Sequence, residues 1–218
     1  MSCIGQAEFE SLRGMFSSKI NIPIVNGKDL VFHERHENSK IKNLHITNVP
    51  GNQLFLAITL DFDGISDRCK TCKINNVCKR KGCEFEQLSL YLNKESENIN
   101  KSCDIACVWF DDCGLCVLLC DMKSTKVDKS ASIQLQNSKL FMQYVFTMFK
   151  SYCFTELDYD SIKFYKSIVS VEAPISKKRS VFGADCNRYV NIISVSPSGS
   201  KEGYIDFDKL VKYPCNWE

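Results

Sequence analysis

No stretch of this sequence stays apolar for the roughly 18–20 residues that a membrane-spanning helix needs, so a helical membrane protein is not expected. The opening residues Met1, Ser2, Cys3, Ile4 and Gly5 lack the basic start and apolar core of a signal peptide, and a secreted product is not expected either. No G-x4-G-K-[ST] loop occurs, which leaves the chain without a nucleotide-binding motif of its own. Strong charge of one sign is also missing. With Lys+Arg 28 against Asp+Glu 26, the formal net charge is +2, so any basic surface must be local. There is no internal repeat and no low-complexity tract.

Apolar residues and cysteine are plentiful. Hydrophobic residues make up 44% of the 218 and include 14 Phe, enough for a core in one domain with an appendage or in two small domains. The 13 cysteines are an odd number and follow no secretory signal. They read as reduced thiols or metal ligands in a cytoplasmic protein rather than as a disulfide framework.

The stretch that organises the chain is residues 102–123, SCDIACVWFDDCGLCVLLCDMK. Residues 103–110 and 115–121 are apolar runs rich in β-branched, aromatic and cysteine residues, and Asp111, Asp112, Cys113 and Gly114 between them are turn material. Folding the hairpin about Asp112 and Cys113 sets Asp104 opposite Asp121, with Lys123 on the same face by the strand period of two. Two carboxylates suit Mg²⁺ or Mn²⁺, and a neighbouring ammonium suits an attacking water or a developing negative charge. The plain alternative is an Asp pair that solvates the strand ends, with Lys123 as counter-ion.

Asp104 followed by Asp121, Met122 and Lys123 resembles the D…(D/E)xK signature of the PD-(D/E)XK nuclease superfamily, in which a helix, often bearing a Gln, comes next. Residues 131–138, ASIQLQNS, are similar to the A-x-x-Q-L-x-N-[ST] helix of small nucleases of this type. The resemblance covers residues 100–172. The family's Pro before the first acid is Cys103 here, and Glu84 and Glu86 are the candidates for its upstream glutamate. The resemblance implies an α/β fold with a restriction-endonuclease-like core: a three-stranded meander, a helix and a strand. Asp104 and Asp121 would hold Mg²⁺ or Mn²⁺, Lys123 would serve the attacking water, and Gln134 would orient the site. The implied activity is hydrolysis of nucleic-acid phosphodiesters, with DNA as the expected substrate. The implied setting is a restriction or phage-defence system with a partner ATPase. The competing expectation is a non-catalytic, zinc-containing nucleic-acid-binding or adaptor subunit with a degenerate core.

Cys69, Cys72, Cys78 and Cys83 follow the spacing C-x2-C-x5-C-x4-C, which completes a tetrahedral Cys₄ zinc site from local sequence. An iron–sulfur cluster is the rival occupant. The C-x2-C-x5-C run resembles that of RecB-like iron–sulfur nucleases, but there it follows the nuclease core and here it precedes it. Residues 68–83 also carry Arg68, Lys70, Lys73, Lys79, Arg80 and Lys81 and no acid. Lys79, Arg80 and Lys81, with a second cluster at Lys177, Lys178 and Arg179, are therefore candidate phosphate contacts. A solvated charged face is the alternative.

The remaining chain supplies scaffold. A helix is expected over 7–16, a hairpin over 20–33 with Asn26-Gly27 as a type I′ signal, and a second strand pair over 44–49 and 54–62. His33 and His36 invite a metal reading, but on a strand they point to opposite faces. Residues 86–92 read as the first strand of the meander. A long helix is expected over 127–152, with Thr125 and Asp128 as a capping box and Tyr144 in its core-facing stripe. Strands are expected over 162–171, 189–195 and 204–207, the last two as a strand–turn–strand unit, with a short helix from 208. The expected organisation is an N-terminal β-rich module (1–65), a zinc knuckle (66–86) and the nuclease-like core (87–218).

Overall fold

The computed structural model describes residues 5–34, 37–51, 54–60, 99, 101–111, 114–124, 127, 129–153, 156–171 and 190–215. The described elements are α1 (Gln6–Gly14), β1 (Ile24–Val25), β2 (Asp29–His33), β3 (Asn43–Thr47), β4 (Phe55–Thr59), β5 (Ile105–Asp111) and β6 (Gly114–Lys123). They continue with α2 (Lys129–Tyr152), β7 (Lys163–Ser170), β8 (Asn191–Ser194), β9 (Glu202–Asp206), α3 (Phe207–Leu210) and β10 (Pro214–Cys215). The protein is a mixed α/β fold with two mixed sheets. A six-stranded sheet runs β10-β7-β6-β5-β4, with β8 also on β7, and a four-stranded sheet runs β1-β2-β3-β9.

Strand parity explains the layering. On β6, Leu115, Val117 and Leu119 join the core beneath α1 and α2, while Cys116, Leu118, Cys120 and Met122 join the core shared with the four-stranded sheet. β5 divides in the same way, with Ala106 and Val108 on the helix side and Ile105, Cys107 and Trp109 on the other. A sheet covered on both faces has no need of polar alternation, which is why these strands read as continuous apolar runs. Burying a Val, Leu or Phe side chain contributes about 1.5–3 kcal/mol, and β5 and β6 bury nearly every residue they have.

The β5–β6 hairpin has the expected register. Ile105 pairs with Cys120 and Asp111 with Gly114, so the loop is the two residues 112 and 113. Gly114 closes it at φ 131°, in a region that L side chains rarely adopt. At the first hairpin Asn26 and Gly27 take φ 54° and 76°, and Lys28 N donates to Val25 O, the positive-φ pair that a type I′ turn requires. β6 then passes through α2 to β7, which lies parallel to it with Asp121 opposite Ile168 and Lys123 opposite Ser170.

Three expectations are corrected. Residues 44–49 and 54–62 do not form a strand pair: β3 pairs with β2 and β9, whereas β4 pairs with β5. The cause is burial. Phe55, Leu56, Ala57 and Ile58 are all buried, so β4 needs the doubly covered sheet, while β3 keeps one face open. Residues 189–195 and 204–207 likewise part company, β8 lying parallel on β7 and β9 parallel on β3. Finally, Tyr144 is 61% exposed; the buried stripe of α2 runs instead through Ala131, Leu135, Ser138, Met142, Val145, Phe146 and Phe149. Residues 86–92, expected to open the meander, lie outside the described residues, and β4 is the strand observed beside β5. The expected N-terminal module contributes β1 to β3 to the second sheet, but β4 leaves it and β9 joins it from far along the chain.

The turn makes a paired prediction. Gly114→Ala would hold a Cβ at φ 131° and 3.4 Å from Ser161 O, and should cost about 1–3 kcal/mol in urea unfolding. Gly14→Ala, in α1 with nothing within 4 Å of its added Cβ, should instead stabilise by about 0.5–1 kcal/mol. Equal effects at the two sites would contradict the backbone argument.

Candidate functional site

Continuing the β5–β6 register one step brings Asp104 opposite Asp121 at the open end of the hairpin. Asp104 is 9% exposed and Asp121 1%. The Asp104 Oδ2 atom accepts a hydrogen bond from Met122 N at 2.5 Å, which ties the first acid to the backbone beside the second. Lys123 lies two residues beyond Asp121 on the same strand. Its Nζ is 2.8 Å from Asp121 Oδ2 and donates to Gln134 Oε1 at 2.7 Å. All four expected site residues therefore gather where β5, β6 and the first turns of α2 meet.

The helix is fastened to both strands. Gln134 holds the Lys123 ammonium, and one turn later the Ser138 hydroxyl, fully buried, accepts from Cys103 N at 2.9 Å. Residues spaced by four share one helix side, so a single face of α2 reaches the last residue of β6 and the residue before Asp104. The carbonyl of Asp104 is fixed too, accepting from Leu60 N and from Thr59 Oγ1, each at 3.1 Å. On the other flank, Val171 N donates to Lys123 O at 3.2 Å, and the Ser124 and Ser39 hydroxyls lie 2.7 Å apart.

Two buried carboxylates impose their field on the neighbouring thiols. Burial pushes the Cys103 and Cys120 thiols up, and the charges of Asp104 and Asp121 push both further in the same direction. These cysteines are therefore protonated, small packing residues. Among the described residues Cys103, Cys107, Cys116, Cys120, Cys153 and Cys215 form no disulfide.

Two cations beside the site escape the sequence analysis. Lys166 is 2% exposed and donates to Gln136 Oε1 at 2.9 Å, and Lys139 is 1% exposed with its Nζ 5.3 Å from the centroid of the Phe164 ring. A signal was present for each. Lys166 falls in strand parity with Phe164 and Ile168, and Lys139 falls at helical spacing between Leu135 and Met142. A lysine at a core-facing position is uncommon and marks a polar layer between sheet and helix.

The four zinc candidates Cys69, Cys72, Cys78 and Cys83 lie outside the described residues, as do Glu84 and Glu86. So do the basic residues Lys79, Arg80, Lys81, Lys177, Lys178 and Arg179. His36 is outside them as well; His33 has its Nδ1 2.6 Å from Asn43 Oδ1. Among the described residues no three His, Cys, Asp or Glu side chains gather to hold a metal ion, and Asp104 and Asp121 stand as a pair. No helix among them is long and apolar enough to cross a membrane. The chain matches no protein-family model, no curated protein and no solved structure.

Ser138→Ala would leave the buried Cys103 amide without its acceptor and should cost about 1–3 kcal/mol in denaturant unfolding, with Ser138→Thr recovering most of the loss. Equal stability of the Ala variant and wild type would show that α2 does not hold the Asp104 strand through this bond.

Proposed function

We propose that this chain is a metal-dependent nuclease that hydrolyses nucleic-acid phosphodiesters, DNA being the expected substrate. The observation that carries the reading is the placement of the Lys123 ammonium, 2.8 Å from Asp121 Oδ2 and 2.7 Å from Gln134 Oε1, beside the facing acid Asp104. The order of elements supports it. The meander β4-β5-β6, the helix α2 and the parallel strand β7 resemble the core of restriction-endonuclease-like proteins.

The donor set fits a hard divalent cation. Asp104 and Asp121 offer only carboxylate oxygens, the ligands that Mg²⁺ and Mn²⁺ prefer, and two protein ligands are enough for an ion that keeps several waters. When bound, such an ion polarises a phosphoryl oxygen and lowers the pKa of a water. The protein groups supply position and charge. Lys123 is held by Gln134 so that its ammonium can orient the attacking water and stabilise charge developing on the phosphoryl oxygens. Burial strengthens these interactions, because the Asp121 carboxylate is nearly inaccessible to solvent. Cys69, Cys72, Cys78 and Cys83 would hold a structural zinc, and Lys79, Arg80, Lys81, Lys177, Lys178 and Arg179 would contact phosphates. A cytoplasmic location, and control by an ATPase subunit of a defence system, complete the proposal.

A second reading is a binding or adaptor subunit with an inactive core. Its support is that only two carboxylates meet among the described residues, one of them already ion-paired.

One pair of measurements separates the two. Mn²⁺ binding to the isolated chain, read by electron paramagnetic resonance, should disappear in Asp121→Asn. Cleavage of DNA, by the chain alone or with its co-purified partners, should stop with EDTA and fall to background in the same variant. Lys123→Ala should keep most of the Mn²⁺ binding while slowing cleavage about 10²–10³-fold, the size expected when a charge-stabilising donor is removed. Cleavage that survives both Asp104→Asn and Asp121→Asn would overturn the catalytic reading and leave the adaptor in its place.

A further inference from the structure

Lys123 is the last residue of β6, and the six-stranded sheet holds it from one side only. On the β7 side it lies opposite Ser170, and its carbonyl accepts from Val171 N at 3.2 Å. On the β5 side the ladder ends three residues earlier, at Cys120. Strand ends open more readily than strand centres, because fewer hydrogen bonds must break together. Yet the Lys123 ammonium keeps two partners, Asp121 Oδ2 at 2.8 Å and Gln134 Oε1 at 2.7 Å.

Further support comes from the other sheet. Ser124, the first residue after β6, has its hydroxyl 2.7 Å from that of Ser39, in the connection from β2 to β3, and accepts from Lys40 N at 3.3 Å. The direction of the hydroxyl pair follows from counting hydrogens, since a serine hydroxyl carries one. Ser39 gives its hydrogen to Ile41 O at 2.7 Å, so it must accept from Ser124. The segment that supplies these groups is itself fixed. Glu34 N donates to Lys42 O and Lys42 N to Lys201 O, each at 2.8 Å. Ser39 is 3% exposed, and Ile41, at 2%, belongs to the core between the sheets. Joining the sheets does not call for this pair, because Ile41, Leu44 and Ile46 already share that core with Cys107, Leu118 and Cys120. A buried hydroxyl is tolerated only when bonded, and what the bonded pair adds is position. Ser124 is fixed against a rigid segment, and a peptide bond joins it to Lys123.

We propose that Ser39 is a positioning residue for Lys123. Through Ser124 it holds the end of β6, so that the four-stranded sheet sets where the ammonium stands relative to Asp121 and Gln134. Its effect on Lys123 rests on the hydrogen bonds alone, and its effect on rate rests on the nuclease reading given above. A reacting group displaced by about 1 Å can lose on the order of 10²-fold in rate. Loosening this clamp should therefore lower kcat. It should leave KM and ion binding unchanged, because Ser39 supplies neither a carboxylate nor a phosphate contact.

Amide hydrogen exchange and steady-state kinetics of the full chain test it in Ser39→Ala, Ser124→Ala and the double variant. Ser124→Ala, at a half-buried position, removes the same hydroxyl pair from the other side. In either single variant the Val171 amide, bonded to Lys123 O, should exchange about tenfold faster, the change expected for one lost hydrogen bond. The Val117 and Phe164 amides, within the β6–β7 ladder, should keep their wild-type rates. DNA cleavage, by the chain alone or with its co-purified partners, should fall roughly 10–100-fold in kcat with KM and Mn²⁺ affinity unchanged. The double variant should lose no more than Ser124→Ala alone, because the two hydroxyls act as one unit. Unchanged exchange at Val171, exchange that rises equally at Val117 and Phe164, or additive losses in kcat would each overturn the proposal. Wild type that cleaves nothing would sink the nuclease reading instead, and exchange at Val171 would still decide for or against the clamp on Lys123.

Discussion

A slip of one residue between β5 and β6 would carry every side chain of one strand to the wrong face, and nothing else in the protein would survive it. The pairing of Ile105 with Cys120 decides that Asp104 and Asp121 face each other and that Ala106, Val108, Val117 and Leu119 meet the helices. Two constraints hold the register. Gly114, at φ 131°, closes a loop that has no residue to spare, and apolar cores on both faces penalise any exchange of sides. The buried Asp121 adds a third. In a slipped pairing Asp121 would keep Lys123, its neighbour on the same strand, but would no longer face Asp104, and the charged pair would be set against the apolar side of the sheet, which costs several kcal/mol.

The helix α2 completes what the hairpin begins. Its first turns read the two strand ends through polar groups, Gln134 to Lys123 and Ser138 to Cys103, while its later turns are anchored by Met142, Phe146 and Phe149. Lys139 and Lys166 extend the polar layer inward, placing ammonium groups where a purely apolar interface would have served packing equally well. Polar layers of this kind are held in place by the hydrogen bonds they make. The Gln136 amide on Lys166 and the Gln134 amide on Lys123 set the helix against the sheet at one position along its length.

Local pattern made much of this legible. Alternation and turn chemistry located β5, β6 and their register, because a two-residue loop with glycine leaves one pairing open. The long helix and the strand after it followed from periodicity, and the juxtaposition of Asp104, Asp121, Lys123 and Gln134 followed from those two. Sheet membership was not legible. Phe55 to Ile58 look like any apolar strand, and only tertiary burial on both faces shows that β4 belongs beside β5 rather than β3. β8 and β9 sit close together in sequence yet enter different sheets, a choice made by Ile192 packing beneath the helices and Ile205 against the other core. Tyr144 misled because it sits next to Val145, and helical periodicity leaves residues at the edge of a stripe free to fall either way.

The pairing of β3 with β9 has a consequence for synthesis. Asn43 and Glu202, whose side chains are hydrogen-bonded, are separated by 159 residues. At about 5–20 residues per second, roughly ten to thirty seconds pass between the appearance of β3 on the ribosome and the arrival of its parallel partner. During that interval one edge of β3 has no strand to complete it, which is the kind of edge that recruits other chains. β6, α2 and the whole of β7 have by then been made. The acids and their lysine can assemble while the sheet that should cover the opposite face of β5 still gapes, so the newborn chain passes through a stage in which its acid pair is in place before its exterior is closed.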